Sequence, residues 1–412
     1  MKRSLLTGNA AAAWGARLAR ADYVPAFPIT PQTEIIETLA GWYAGGEMAG
    51  RLTVLESEHS MITAAAAAAA TGVRVFSATS SQGLLYGMEM IFGTPGWRAP
   101  FVLVNVSRGL QSPITLEPDH NDVLATRDSG CLQFHCATCQ EVVDAVLLAY
   151  RVAEDPRVRL PAIVNLDGFY LSFTREPVAL PAAAAVDAFL PAFDAETTRF
   201  AADAPLSQAC AVLGGGPYSY FRYEAHLAAL AALEVFDEAA ADFAACCGRR
   251  YETIEAYRMD DAEFAFCMIG SFATKAQEAV DRLREAGRRV GLVRPRLLRP
   301  FPAARLAHLL CGRKAVAVVD QNLSFGKGGI LATELASALY GRPAAPLLAS
   351  YVGGLGGRDI RTEEFFAMAD ELEQAAATGV CPPPRLLYTV DEMHEVRKLQ
   401  AIAHAQLSEE TP

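Results

Sequence analysis

The chain has 412 residues, more than one hydrophobic core usually organises, so two domains are expected. Hydrophobic residues make up 52% and charged residues 20%, a balance that excludes a disordered chain. The formal net charge of −11 argues against nucleic acid or an anionic membrane surface as the main partner.

The opening stretch MKRSLLTGNAAAAWGARLARAD has a basic flank, but charged and small residues interrupt it before any signal-peptide core forms. No run of about 18 strongly apolar residues follows, and Ala64–Ala70 is too short and too weakly hydrophobic to span a bilayer. A cytoplasmic location is expected. Short apolar runs predict strands over Tyr23–Phe27, Leu52–Leu55, Val73–Ala78, Phe101–Val106 and Ala162–Leu166. Helical patterns lie between them over Thr33–Tyr43, Ser57–Thr71, Leu84–Phe92 and Gln140–Ala153, with Gly72 at a helix C-cap position. This alternation implies βαβ units and a mostly parallel sheet.

Residues 176–262 are less regular. Val178–Pro191 reads as a surface crossover, Ala211–Leu213 as a short strand, and the Ala-rich Tyr218–Cys247 as a helix. The rhythm then resumes with strands over Phe264–Ile269, Val290–Val293, Ala315–Val319 and Leu347–Val352 and a helix over Thr274–Ala286. The tail Pro382–Pro412 reads as a short strand and one helix. The domains are expected at 1–250 and 251–375, with an extension over 376–412.

Nine scattered cysteines in such a chain read as free thiols. The pair Cys136 and Cys139 is a weak metal or redox signal, and no ferredoxin-type run of four exists. Any iron–sulfur cluster would therefore sit on another subunit.

In open parallel sheets, ligands bind beyond the carboxyl ends of the strands. Four neighbouring strand ends here present Thr30 and Thr33, then Glu58 and His59, then Ser80, Ser81 and Gln82, and finally Arg108. Each also has a bland reading. Thr30 or Thr33 would N-cap a helix, Glu58 would favour a helix dipole, Ser80 and Ser81 would form a turn, and Arg108 would make a surface pair. His59 reads as a proton carrier or a structural hydrogen-bonder. Asp119, His120, Asp122, Arg127 and Asp128 form the densest polar cluster. A buried network bracing a loop is favoured there over an active-site wall or subunit contact. The glycines at 214–216 resemble a phosphate cradle but lack a P-loop lysine or hydroxyl. Those at 326–329 and 353–357 would either let the backbone approach a ligand or only turn the chain, and turns are favoured.

The stretches PITPQTE, ESEHS, TSSQG, SRGLQSPIT, PDHND, TRDSG and LPAIVNLDGF, followed by RPRLLRPFP, DQNLSFGKGG and GLGGRD, occur in this order. Together they resemble the α subunit of the pyruvate:ferredoxin oxidoreductase or 2-oxoacid:acceptor oxidoreductase family, with the phenylglyoxylate dehydrogenase α subunit as one possible member. The resemblance implies an α/β fold: a parallel-sheet, pyrimidine-binding domain of a thiamine enzyme, then a domain like the C-terminal domain of transketolase. It assigns Glu58 to the pyrimidine ring of thiamine diphosphate, Ser80, Ser81 and Gln82 to the same cofactor, and Thr30 and Arg108 to the substrate carboxylate. A guanidinium fork matches a carboxylate.

Thiamine enzymes of this kind hold Mg²⁺ and the diphosphate with a Gly-Asp-Gly motif, which is absent here; Asn165-Leu166-Asp167-Gly168 lacks the first glycine. The resemblance therefore implies a β subunit that binds Mg²⁺ and the diphosphate and shares the cofactor. A ferredoxin-like iron–sulfur subunit and a γ subunit are implied too, with a flavin or NAD subunit as a further candidate and coenzyme A as cosubstrate. The implied reaction is oxidative decarboxylation of a 2-oxoacid to acyl-CoA and CO₂. Pyruvate and phenylglyoxylate rank nearly level, a branched-chain oxoacid is realistic, and oxalate ranks lower. A non-catalytic scaffold subunit is the alternative. An autonomous nucleotide-binding Rossmann protein is disfavoured, because no glycine fingerprint follows the first strand.

Overall fold

Two parallel sheets, sharing buried cores, position everything that follows. The computed structural model describes residues 2–193 and 200–409. The chain starts with β1 (Lys2–Thr7), α1 (Gly8–Leu18), β2 (Tyr23–Ala26), α2 (Thr33–Ala44), β3 (Arg51–Val54), α3 (Glu58–Ala70), β4 (Phe76–Thr79), α4 (Ser81–Tyr86), α5 (Met88–Trp97) and β5 (Val102–Ser107). It continues through α6 (Asn121–Ala125), β6 (Leu132–His135), α7 (Cys139–Ala153), β7 (Ala162–Asp167), β8 (Arg175–Leu180), α8 (Ala183–Phe189) and the long α9 (Gly215–Cys247). Strands β6, β7, β5 and β4 pair in parallel, and a bridge from Tyr23 to Val75 continues the sheet into β2 and β3.

Helix α3 shows why its sequence folds as it does. Ser57 caps it, its Oγ accepting from the Ser60 N–H at 3.2 Å. The residues Met61, Ile62, Ala65, Ala66, Ala69 and Ala70 recur at helical spacing and are all buried. Beyond the end, Gly72 has a φ of 88°, the left-handed conformation that glycine adopts without a Cβ clash.

The second half runs β9 (Ile254–Tyr257), β10 (Phe264–Cys267), α10 (Ala273–Glu285), β11 (Val290–Pro295), β12 (Leu297–Arg299), α11 (Ala303–Leu310), β13 (Ala315–Asp320), α12 (Ile330–Leu339), β14 (Leu347–Val352), α13 (Thr362–Thr378), β15 (Arg385–Leu386) and α14 (Val390–Glu409). Its six-stranded sheet has the order β15-β14-β13-β10-β11-β9. Only β9 is antiparallel to its neighbour. Strand β12 leaves this half and pairs antiparallel with β6, on the first sheet. One apolar core contains Met61, Leu103 and Ile163 from the first half and Cys267, Val318 and Leu335 from the second.

Three expectations are corrected. Val178–Pro191 is no irregular crossover: β8 pairs with β1, and Val178, Leu180, Val186 and Phe189 are buried. Ala211–Leu213 forms no strand, because no neighbouring strand reaches it and Leu213 is 95% exposed. The single helix expected over Leu84–Phe92 is two, α4 and α5, meeting at Gly87.

Candidate active site

The carboxyl ends of β2, β4 and β5 and the start of α3 converge as the strand order requires. Glu58 is the first residue of α3 and is buried. Burial raises its pKa, partly offset by its own backbone N–H. Among the described residues no side chain donates a hydrogen bond to it. Gly83 on α4 lies directly against it: a Cβ there would stand 2.3 Å from Glu58 Oε1 and 2.7 Å from Thr79 Oγ1. Thr79 Oγ1, Ser80 Oγ and Gln82 Nε2 are buried and have no partner among the described residues. A buried carboxylate beside unsatisfied donors and acceptors is costly unless a ligand completes it.

Arg108 follows β5 and is buried beneath the exposed Thr30. Its Nη1 donates to the Thr30 carbonyl at 2.6 Å and its Nη2 to Gln82 Oε1, while Nε has no partner. Two of a guanidinium's five N–H donors are thus used, and the rest remain for an anion. Burial lowers its pKa, and Asp122 opposes that shift. Ser81 Oγ lies 3.0 Å from the Gly109 carbonyl and 2.7 Å from Gln82 Oε1, two acceptors that share its one proton, so its hydroxyl is engaged internally.

Thr30 and Thr33 do not cap α2; its N-cap is Gln32, without a side-chain bond. His59 bonds Glu89 at 3.2 Å near the surface, as a structural hydrogen-bonder would. The polar cluster divides. His120 Nε2 meets Asp167 Oδ1 at 2.7 Å, and Asp167 Oδ2 accepts from the Ser271 N–H at 2.8 Å, joining the two halves. Asp167 is thereby committed to internal partners. Arg127 and Asp128 pair loosely with each other at 3.5 Å. Asp119 is pushed up to about 6 by burial, against the Asn121 N–H that lowers it. The glycines at 326–329 and 354–357 form turns, and Gly329 is pressed on Asp320. Gly215 and Gly216 belong to α9, with no cradle around them. Cys136 and Cys139 are buried free thiols whose pKa values burial raises. Thr79 and Gly83 carry no sequence signal beyond their place in the TSSQG stretch, and Asp122 is one acid among several there. A cavity of about 860 Å³ between α9 and α11 lies away from Glu58.

Residues 14–240 match the family model described as pyruvate flavodoxin/ferredoxin oxidoreductase, thiamine diphosphate-binding. The chain belongs to this family. Residues 262–365 match pyruvate:ferredoxin oxidoreductase core domain II. The family's pyruvate synthase subunit PorA from Pyrococcus abyssi is 39% identical over 382 residues, covering 93% of this chain and 96% of that one. The PorA subunit from Methanothermobacter thermautotrophicus is 40% identical, covering 87% and 92%. The ketoisovalerate oxidoreductase subunit VorA from Pyrococcus furiosus is 41% identical, covering 92% and 95%. A 2-oxoglutarate:ferredoxin oxidoreductase from Magnetococcus marinus, solved with 2-oxoglutarate, coenzyme A and succinyl-CoA bound, superposes with a TM-score of 0.68 at 19% identity. It covers 90% of this chain, which spans 65% of that longer one, and the likeness establishes the fold. An inactive split-gene transketolase tetramer superposes with a TM-score of 0.52 at 14% identity, covering 89% of this chain and 96% of that one. The family member described here is a subunit of a thiamine diphosphate-dependent 2-oxoacid oxidoreductase with a thiamine-enzyme fold. The buried Glu58 carboxylate, the space kept by Gly83 and the unpaired Thr79 and Ser80 hydroxyls fit the aminopyrimidine of that cofactor.

Proposed function

We propose that this chain supplies the pyrimidine-activating, carboxylate-holding half of an active site completed by a β subunit. The observation that carries the reading is Glu58, buried, without a side-chain donor, and facing a glycine where any side chain would collide. Bound thiamine diphosphate supplies the nucleophile and the electron sink for loss of CO₂. Glu58 holds the proton that it shares with the pyrimidine ring, and its burial favours the protonated carboxyl. Ser80 and Gln82, with buried unpaired atoms, line the ring's place; Ser81, its N–H held by Asp122 and its hydroxyl by Gly109 and Gln82, shapes the turn between them. Arg108 binds the 2-oxoacid carboxylate with its remaining donors, and the Thr30 hydroxyl closes the site from the exposed side. Mg²⁺, the diphosphate and the iron–sulfur clusters belong to partner subunits in this reading. Coenzyme A accepts the acyl group, and the complex works in the cytoplasm. No helix of the described residues is long and apolar enough to cross a membrane.

Pyruvate leads as substrate because the PorA relatives are named for it. A branched-chain oxoacid stands beside it, since the VorA relatives are equally similar. Phenylglyoxylate, ranked nearly level with pyruvate on the sequence resemblance, is the third candidate. The test is a reconstituted complex assayed with pyruvate, 2-oxoisovalerate and phenylglyoxylate, coenzyme A and a viologen dye. Turnover of one acid, abolished by Glu58→Gln, is expected. Unchanged turnover in that variant overturns the reading.

A further inference from the structure

Asp122 lies on α6, fully buried, and its carboxylate gathers more donors than any other acid near the site. Oδ2 accepts from the Ser81 N–H at 3.0 Å, Asn105 Nδ2 at 3.0 Å and the Arg108 N–H at 3.2 Å. Oδ1 accepts from Ser107 Oγ at 2.8 Å and the Val123 N–H at 2.7 Å. One carboxylate therefore ties together the ends of β4 and β5, the two strands that carry Ser81 and Arg108. Ser81 has a φ of 48°, a left-handed conformation that a non-glycine residue keeps only when its surroundings enforce it. The Asp122 bond to its N–H is one such restraint.

The anchor is itself held. The His120 N–H donates to the Gln321 carbonyl at 2.8 Å, and Asn121 Oδ1 accepts from the Leu323 N–H at 3.1 Å. Both acceptor and donor belong to the loop after β13, in the second half of the chain. The start of the helix carrying Asp122 is thus tied to the second half of the chain.

We propose that Asp122 is a positioning residue that sets the Arg108 guanidinium for the substrate carboxylate, by fixing the backbone of Arg108 and Ser81; this rests on the reading of Arg108 given above. A charged acceptor binds each N–H more strongly than a neutral one. In Asp122→Asn the amide NH₂ must face either the Oδ1 or the Oδ2 set of donors, so some of these bonds are lost whichever way it turns. Arg108 keeps its side chain and loses its registration.

The experiment is a double-mutant cycle in the reconstituted complex, with Asp122→Asn, Arg108→Lys and both together, and with pyruvate, 2-oxoisovalerate and phenylglyoxylate as probes. Asp122→Asn is expected to raise KM for the acid that is turned over by about tenfold, with a smaller change in kcat. In the Arg108→Lys background the same substitution should cost much less, because the group it positions is already gone. Equal cost in both backgrounds overturns the proposal, as does a wild-type KM beside an impaired Arg108→Lys. A wild-type KM in Arg108→Lys overturns the underlying assignment instead. If Asp122→Asn does not assemble, Ser107→Ala removes the hydroxyl that the Asp119 carbonyl and Asp122 Oδ1 share, at 2.6 and 2.8 Å, and leaves the carboxylate in place; a wild-type KM there overturns the positioning role.

Discussion

Gly83 and Glu58 are in such close contact that a β-carbon on Gly83 would stand 2.3 Å from Glu58 Oε1. The constraint is spatial, since Gly83 lies in α4 with ordinary helical geometry, where alanine is the better helix former. Gly83→Ala should therefore keep the fold while pushing the carboxylate aside by roughly an ångström, a displacement that costs about a hundredfold in turnover when a catalytic group is misplaced. Turnover and thiamine diphosphate affinity of the reconstituted complex check this. Full activity in Gly83→Ala would show that the carboxylate has room to spare.

Glu58→Gln separates stability from activity. Burial raises the Glu58 pKa, so the folded protein holds this proton more tightly than the unfolded chain does. A raised carboxyl pKa means that the unfolded chain loses its proton first, and stability falls as pH rises between the unfolded and folded values. Below about pH 4 the acid is neutral in both states and the substitution changes little. Above the folded pKa the wild type carries a buried charge that glutamine lacks. The melting temperature of Glu58→Gln relative to wild type should therefore be higher at pH 8 than at pH 4, while turnover is lost. A lower relative value at pH 8 would contradict the burial argument.

The parallel sheets were readable because their strands are nearly continuous apolar runs set between helices, as in Val102–Ser107 and Ala162–Asp167. What stayed hidden depends on partners distant in sequence. Strand β1 carries lysine, arginine and serine and forms only because β8 lies beside it. Strand β12 has three residues, too few for any periodicity, and exists through its pairing with β6. Near the proposed site, the placement of Thr30, Glu58 and Arg108 beyond neighbouring strand ends was legible from the strand–helix alternation. Gly83 and Thr79 were not singled out, because their importance is a distance to Glu58. Asp122 looked like one acid of a dense cluster until its five donors were placed around it.

Thr30 contributes to the site in two ways that mutation can divide. Its carbonyl accepts from Arg108 Nη1 at 2.6 Å, and its side chain is exposed at the mouth. Thr30→Ala keeps the carbonyl and removes only the hydroxyl. The melting temperature should stay within error of wild type, since an exposed hydroxyl is solvated in the unfolded chain as well. KM for the 2-oxoacid should rise about threefold to tenfold, the loss of one hydrogen bond. Steady-state kinetics and calorimetry check both halves, and an unchanged KM would remove the hydroxyl from substrate binding.

Arg294 is the fully buried cation between the two halves, with Glu141 Oε1 at 2.5 Å from α7 and Glu255 Oε2 at 2.7 Å from β9. Burial alone would raise the Glu141 pKa, but the guanidiniums of Arg294 and Arg296 outweigh it and hold it at about 2. A depressed carboxylate stabilises the fold above its unfolded pKa, and that contribution is lost as pH falls from about 4.3 toward 2. Arg294→Met leaves Glu141 and Glu255 with Arg296 alone, at 3.1 and 3.2 Å, and removes the buried partner of the network, which should cost about 3–5 kcal/mol at pH 7. As the medium is acidified the wild type surrenders the same interaction, so the difference between the two proteins should shrink between pH 4 and pH 2.5. Urea unfolding across this range measures it. A difference that stays constant with pH would mean that the methionine costs packing and that the charges contribute little to holding the halves together.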